Sequence, residues 1–211
     1  MIKGIKIAVW HPIFRIVTNV RKWYENTYII PTYSEKRSII LKYKEKYNCI
    51  TLVETGTFMG DTVECMKSNF RKIISIELSV ELAEKAKQRF KNDAHVFILQ
   101  GDSGDVLEQL DEIQEQPILY WLDGHYSGSF FIGDKLTNTA LGSFHTPIKK
   151  ELQSILKNGL KKNVILIDDA RLFIGKDAYP TYLELVKYLT DLGVLPTQVS
   201  KQRDIIRIVA E

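Results

Sequence analysis

Acidic and polar side chains follow apolar runs at regular intervals along this 211-residue chain. The runs ITLVE, IISIE, HVFIL, ILYWL and VILI are apolar almost throughout, which is typical of strands covered on both faces of a parallel sheet. Ligands of such sheets bind beyond the carboxyl ends of the strands. We therefore expect one extended site from the residues that end or follow these runs: Glu54, Glu77, Asp102 with Ser103, Asp123, and the pair Asp168 and Asp169.

The segment after the first run, ETGTFMGDT, has the composition of a turn that holds a nucleoside. Gly56 lets the backbone approach a ligand with no Cβ in the way, and Gly60 allows a second close approach. Glu77 stands 21 residues beyond Gly56, where a carboxylate can accept hydrogen bonds from both ribose hydroxyls. Glu54 would repel a pyrophosphate but attract a cationic amino group, and this favours S-adenosylmethionine over NAD.

Three segments resemble the successive cofactor motifs of class I S-adenosylmethionine-dependent methyltransferases: LVETGTFMGDT at 52–62, the strand-end Glu77, and GDS at 101–103. The resemblance covers about residues 35–211. It implies that Glu54 and Gly56 lie near the methionine part of the cofactor, Glu77 at the ribose, and Asp102 with Ser103 near the adenine. The cofactor-binding residues predicted on this basis are Glu54, Thr55, Gly56, Thr57, Gly60, Thr62, Glu77, Asp102, Ser103 and Asp123.

Within this superfamily, Asp123 and the pair Asp168 and Asp169 resemble the metal-binding acids of catechol O-methyltransferase and of macrocin-type sugar O-methyltransferases. Carboxylates from neighbouring strand ends also repel one another unless a cation neutralises them. Oxygen donors favour Mg²⁺ as that cation, although Zn²⁺ stays open because His125 and His145 are near in sequence.

Two alternatives accompany the metal site. Arg171 and backbone amides could instead satisfy Asp168 and Asp169. The chain also departs from the family pattern because Gly124, His125 and Tyr126 directly follow the first acid. His125 has an ordinary pKa suited to taking a proton from a hydroxyl, so His125 and Asp123 are the predicted catalytic residues. A histidine in a loop often serves only as a hydrogen-bonding residue.

The resulting hypothesis is methyl transfer from S-adenosylmethionine to a hydroxyl of a small molecule, with a sugar or polyol favoured by family analogy alone. A nucleic-acid methyltransferase is one alternative, but the Asn/Asp-Pro-Pro motif expected after the fourth strand is replaced by Leu-Asp-Gly-His. An NAD-dependent oxidoreductase is another, disfavoured by the glycine turn. We therefore expect a small-molecule acceptor and no nucleic-acid partner, and leave homo-oligomerisation open.

The composition and charge of the chain limit the class of protein and indicate its domain organisation. Apolar residues form 45% of the chain and charged residues 26%, which excludes a disordered, collagen-like or polytopic membrane protein. Residues 1–48 hold ten Lys and Arg against three Glu, interleaved with aromatic residues. We predict a basic aromatic arm over residues 1–33 and a methyltransferase domain over 34–211. With two cysteines, no secretory signal pattern and no 18-residue apolar stretch, the expected compartment is the cytoplasm.

The expected fold is α/β: a Rossmann-like, doubly wound, mostly parallel seven-stranded sheet with a C-terminal antiparallel hairpin. The first helix is predicted from Ser34, as its N-cap, to about Lys46. The hairpin is predicted from the apolar segments 194–199 and 204–209. Residues 129–145 exceed an ordinary connection, and this length predicts a lid over the acceptor, with an unstructured insertion as the alternative.

Overall fold

The computed structural model describes residues 30–110, 117–124, 129–132, 135–138 and 146–210. Most of the predicted arm, the predicted base His125, and His145 lie outside these ranges. Within the described part of the chain, every helix is too short or too polar to cross a bilayer.

A seven-stranded sheet has the order β3-β2-β1-β4-β7-β9-β8. Its first five strands in that order run parallel, and β9 pairs antiparallel with both β7 and β8. Strands β5 and β6 form a separate antiparallel pair. The strands are β1 (Thr51–Thr55), β2 (Lys72–Glu77), β3 (Val96–Gln100), β4 (Ile118–Leu122), β5 (Ser129–Ile132), β6 (Lys135–Asn138), β7 (Val164–Ile167), β8 (Val199–Gln202) and β9 (Ile205–Val209).

Six α-helices connect or flank these strands: α1 (Tyr33–Tyr47), α2 (Asp61–Met66), α3 (Val80–Arg89), α4 (Ser103–Gln109), α5 (Ile148–Leu156) and α6 (Tyr182–Asp191). Short 3-10 turns lie at Ala170–Leu172 and Pro196–Gln198. The predicted doubly wound sheet with its C-terminal hairpin is therefore confirmed.

Alternate residues of the central strands β1, β2, β4 and β7 enter opposite cores, because successive side chains point to opposite faces. Val53 and Leu122 pack with Leu152 of α5 and Leu185 of α6 in one core. The other core lies under α1, α2 and α3, and its fully buried members include Leu52, Ile40, Val63, Ala83 and Trp121. Helices on both faces explain why the central parallel strands are apolar almost throughout.

The first helix begins earlier than predicted. Thr32, not Ser34, is its N-cap: the Thr32 side chain accepts from the Glu35 amide at 3.4 Å, and the Thr32 amide donates to Glu35 Oε2 at 2.8 Å. This reciprocal capping box satisfies two backbone donors at once, which a cap at Ser34 would not do. The last two residues of the predicted arm thus belong to the helix and its cap.

The C-terminal hairpin is displaced from its predicted position. Residues 194–198 do not form a strand, because Pro196 has no N–H to give to a ladder and opens a 3-10 turn instead. Strand β8 begins only at Val199. The connection to β9 is a two-residue turn at Arg203 and Asp204, both with positive φ (48° and 62°), as tight hairpins require.

The long segment after β4 contains an antiparallel pair of strands, β5 and β6. The alternative of an insertion without secondary structure is therefore wrong for Ser129–Ile132 and Lys135–Asn138. The side chains of 129–145, including the three phenylalanines, lie outside the described residues. The lid stays a prediction.

Candidate active site

The site lies between β1 and β4, where the sheet changes its winding direction and the two connections diverge. The strand ends are tied together through Thr55. Its carbonyl accepts from the Asp123 amide at 3.1 Å, and its Oγ1 accepts from the Gly124 amide at 3.2 Å. A Cβ on Gly56, whose φ is 86°, would lie 2.7 Å from the Asp123 carbonyl oxygen. Glycine is required at position 56 because the two loops approach so closely.

Glu77 is held in one orientation at the end of β2. The carboxylate is buried, and it accepts from the Phe58 amide at 2.8 Å and from the Ser79 amide at 2.9 Å, one on each oxygen. Each oxygen keeps acceptor capacity beyond these bonds. Because Phe58 belongs to the turn after β1, Glu77 faces that turn with two oxygens available to a pair of adjacent hydroxyls.

Glu54 lies deeper, at 2% exposure within β1. Ser75 Oγ donates to its Oε2 at 2.5 Å, and Thr57 and Ser75 share a hydrogen bond of 2.6 Å. Burial raises the pKa of Glu54 to about 7, against the opposing effect of hydrogen bonds from Ser75 and Thr62. Thr57 and Thr62 therefore support Glu54, which is a buried carboxyl poised between its neutral and ionised forms near neutral pH.

Gly60 lies close to a neighbouring helix. With φ at 79°, it precedes α2, and a Cβ there would lie 2.7 Å from Cε2 of Phe90. Its close approach is to the aromatic ring that ends α3. Gly60 thus lets two helices pack together beside the turn, and its predicted approach to a ligand stays a prediction.

Asp102 and Ser103 lie at the start of α4. Asp102 is the N-cap and accepts from the Gly104 amide at 3.0 Å. Ser103 Oγ donates to Glu151 Oε1 at 2.6 Å. Glu151 is 1% exposed in the first turn of α5, and its Oε1 would lie 3.4 Å from a Cβ on Gly124. Glu151 therefore links the predicted adenine region to the loop after β4.

Asp123, Asp168 and Asp169 form the acid cluster, which follows the paired strands β4 and β7. The Asp168 amide donates to the Leu122 carbonyl at 3.0 Å, so the two strands remain in register up to the cluster. Asp169 adopts a left-handed backbone with φ at 54°, and its amide donates to Asp168 Oδ1 at 2.8 Å. Asp168 and Asp169 are buried and Asp123 is half-buried.

One cation within this cluster is Lys36 of α1. Its Nζ forms an ion pair with Asp168 Oδ2 and lies 3.6 Å from Asp169 Oδ1. Burial lowers the pKa of Lys36, but the charges of Asp168, Asp169 and Asp123 outweigh burial and raise it overall. Burial, together with the charge of Asp169, raises the pKa of Asp168 against the pull of Lys36.

Arg171 supplies a second positive charge. The sequence predicts this contact as the alternative to a metal site. Its Nη1 contacts Asp169 Oδ1 at 2.7 Å and also pairs with Asp204. The Arg171 amide donates to Asp204 Oδ1 at 2.7 Å. The tight turn between β8 and β9 thus delivers one more carboxylate to the edge of the cluster, and Arg171 is shared between two acids.

The donor set as placed does not fit a divalent ion. Mg²⁺ needs carboxylate oxygens that are open to it together with several waters. Here the facing oxygens of Asp168 and Asp169 are engaged by an ammonium and a guanidinium. Among the residues that the structure describes, no three His, Cys, Asp or Glu side chains are grouped suitably for a metal.

A small cavity opens beside the cluster, between the ends of β4 and β7 and the start of α5. Tyr179 and Thr146 share a hydrogen bond there, and the Phe173 ring meets that of Tyr179 edge-on with centroids 5.1 Å apart. Burial raises the pKa of Tyr179, and the charges of Asp169, Asp123 and Glu151 add to this effect. The cavity is lined by Leu122, Asp123, Gly124, Thr146, Ile148, Glu151, Ile167, Asp168, Phe173 and Tyr179.

Four residues of the site were missed in the sequence: Lys36, Ser75, Glu151 and Tyr179. The sequence does contain an indication for Glu151. It falls on the helix face that Ile148, Leu152 and Ile155 define as buried, and a charged side chain there requires a partner. Nothing in the sequence distinguishes Lys36 from the other lysines along α1. Its partner Asp168 lies 132 positions away in the chain.

Comparisons with known proteins bear on the fold. No family model and no curated protein matches the sequence. Several solved structures have a similar fold. An O-methyltransferase from Bacillus cereus in complex with S-adenosylhomocysteine has a TM-score of 0.58 at 14% identity, covering 93% of this chain and 90% of the other.

Two further solved methyltransferase structures have a similar fold. The O-methyltransferase TomG from Streptomyces achromogenes, in complex with S-adenosylmethionine, has a TM-score of 0.58 at 15% identity, covering 86% of this chain and 82% of the other. The methyltransferase PaMTH1 from Podospora anserina, bound to S-adenosylhomocysteine, has a TM-score of 0.56 at 15% identity, covering 86% and 80%. At such low identity these likenesses concern architecture. The chain has the fold of the class I S-adenosylmethionine-dependent methyltransferases.

Proposed function

We propose that this protein transfers the methyl group of S-adenosylmethionine to a hydroxyl of a small molecule. The observation that carries the proposal is the orientation of Glu77 by two amides, opposite the glycine turn at the switch point of the sheet. The carboxylate suits the ribose hydroxyls, and the buried Glu54 suits a cationic amino group. The solved structures of similar fold that contain S-adenosyl ligands support the same cofactor.

When bound, S-adenosylmethionine supplies an electrophilic methyl group on a sulfonium. A bond forms between the acceptor oxygen and the methyl carbon as the carbon–sulfur bond breaks, and the hydroxyl proton must leave. Asp123 is the described carboxylate at the end of β4 that can hold the hydroxyl and receive its proton. Positioning then supplies most of the rate enhancement. His125 remains the other predicted base.

A sugar or polyol is the substrate class that we propose. The narrow opening beside Asp123 is lined by polar side chains, among them those of Glu151, Thr146 and Tyr179. Polar groups of this kind can hydrogen-bond a polyhydroxylated molecule. The proposal rests on the lining of the cavity together with family analogy.

Calorimetric titration tests the cofactor. Wild-type protein should bind S-adenosylhomocysteine and should not bind NAD. Glu77→Gln should weaken binding by about 1–3 kcal/mol, because a ribose hydroxyl is left without its acceptor. Glu84→Gln, on the exposed face of α3, is the matched control and should leave affinity unchanged. Tight NAD binding without S-adenosyl binding would refute the proposal.

The acceptor is tested by transfer of a radioactive methyl group from labelled S-adenosylmethionine. Sugars and polyols, catechols, and ribosomal or transfer RNA form the three panels. Label appearing in an alkali-stable ether of a sugar or polyol supports the proposed class. Label only in catechols would change the class of acceptor, and label only in RNA would favour the nucleic-acid alternative.

A further inference from the structure

Lys36 lies where the sequence predicted a metal ion. The acid cluster stands at the ends of two paired strands, and carboxylates gathered in this way need a positive charge among them. Lys36 supplies it, with Nζ paired to Asp168 and 3.6 Å from Asp169. Its side chain is only 17% exposed, so this ion pair is largely withdrawn from water.

The fold fixes Lys36 in this place. Lys36 lies in the first turn of α1, directly after the capping-box residue Glu35, so its backbone is anchored by Thr32. The Lys36 amide itself donates to the Thr32 carbonyl at 2.9 Å. Helix α1 packs across β4 and β7, with Ile40 one turn further along at 1% exposure. The lysine stem is thereby directed at the ends of those two strands.

We infer that Lys36 is the resident cation of the acid cluster, so that the protein needs no divalent metal for the methyl transfer proposed above. The ammonium positions Asp168 and Asp169 and contributes positive charge beside Asp123. It also excludes a divalent ion, because it occupies the carboxylate oxygens that such an ion would need and repels a second cation at close range. Lys36 is a positioning residue in this scheme.

The inference makes a prediction about ion binding that does not depend on activity. Removing Lys36 takes the ammonium from the buried Asp168 and leaves Arg171, paired with Asp169, to serve the cluster, which strongly favours uptake of another cation at Asp168. Lys36→Ala should therefore acquire saturable Mn²⁺ binding, with an affinity at least about tenfold above any weak binding by the wild type. Lys36→Arg keeps the charge and should gain none. Lys42→Ala, an exposed lysine of the same helix, is the matched control.

Mn²⁺ titration followed by electron paramagnetic resonance provides the measurement, since free Mn²⁺ loses its signal on binding. The expected result is no saturable binding by wild type, Lys36→Arg or Lys42→Ala, and saturable binding by Lys36→Ala. Saturable binding by the wild type would overturn the inference, as would its absence from a folded Lys36→Ala. Lys36→Met, which retains the apolar stem, replaces Lys36→Ala if the latter does not fold.

The inference rests on the proposed function only in its statement about methyl transfer. Once an acceptor is found, wild-type activity should be unchanged in excess EDTA, and loss of activity reversed by Mg²⁺ would overturn the inference. Titration with S-adenosylhomocysteine in the same samples separates the two proposals. Failure to bind it would refute the methyltransferase proposal, while the Mn²⁺ result would still decide the role of Lys36.

Discussion

Replacing Glu54 by Gln should stabilise the ligand-free protein and weaken its hold on the cofactor. The carboxyl is fully buried in β1, and its pKa rises from 4.5 to about 7 because burial disfavours the charged form. Gln has nearly the same shape and still accepts from Ser75, which donates to Glu54 at 2.5 Å. It removes the charge that burial disfavours, and with it the partner for a cationic amino group.

The magnitude follows from the shift in pKa. Below pH 4.5 Glu54 is protonated in both the folded and the unfolded state, so it makes no pH-dependent contribution. As the pH rises the unfolded carboxyl ionises first, and the folded state loses stability until its own pKa near 7 is passed. The accumulated loss is about 3 kcal/mol at 1.4 kcal/mol per pKa unit. Imperfect hydrogen bonding of the new amide reduces the expected gain for Glu54→Gln to about 2 kcal/mol.

Urea denaturation of wild type and variant at several pH values between 4.5 and 8.5 measures this effect. The difference in free energy of unfolding should grow between pH 4.5 and 7 and then become constant. Glu84→Gln, in an exposed ion pair, should change stability by less than about 0.5 kcal/mol without such a trend. A difference for Glu54→Gln that is the same at every pH would refute the assignment of a raised pKa to Glu54.

The remaining predictions concern a glycine, the acceptor cavity and the arm. Gly56→Ala should lower the free energy of unfolding in urea by roughly 2 kcal/mol more than Gly193→Ala. Both glycines have φ near 86°, but only the new Cβ at position 56 would meet backbone atoms. Equal losses of stability would contradict the close approach to Asp123. Tyr179→Phe should raise KM for the acceptor by about fivefold, the loss of one hydrogen bond, and an unchanged KM would place the acceptor elsewhere. A chain beginning at Ile30 keeps the Thr32 cap and should bind S-adenosylhomocysteine with unchanged affinity; a folded chain that fails to bind would show that the arm is part of the cofactor site.

Much of the fold follows from local sequence. Five apolar runs became parallel strands within one or two residues of their predicted ends, because their length and composition suit burial on both faces. Ser79 and Thr181 cap α3 and α6 as their side-chain chemistry predicts. The two places where the prediction was wrong, the start of the first helix and the start of β8, also depend on local sequence. The Thr32 cap and the turn at Pro196 each depend on hydrogen-bonding detail over three or four residues that a hydrophobic pattern does not contain.

The sequence by itself determined which residues stand at the ends of the strands, since a strand end is a local property and parallel strands bring such ends to one edge of the sheet. It therefore identified Glu54, Glu77 and the acid cluster. Only the tertiary structure decided what neutralises that cluster. Electrostatic partners are chosen by distance in space, and α1 brings Lys36 to Asp168 although the two residues are 132 positions apart in the chain. The sequence indicated that a cation was required there, and the packing of one helix across β4 and β7 supplied it from within the chain.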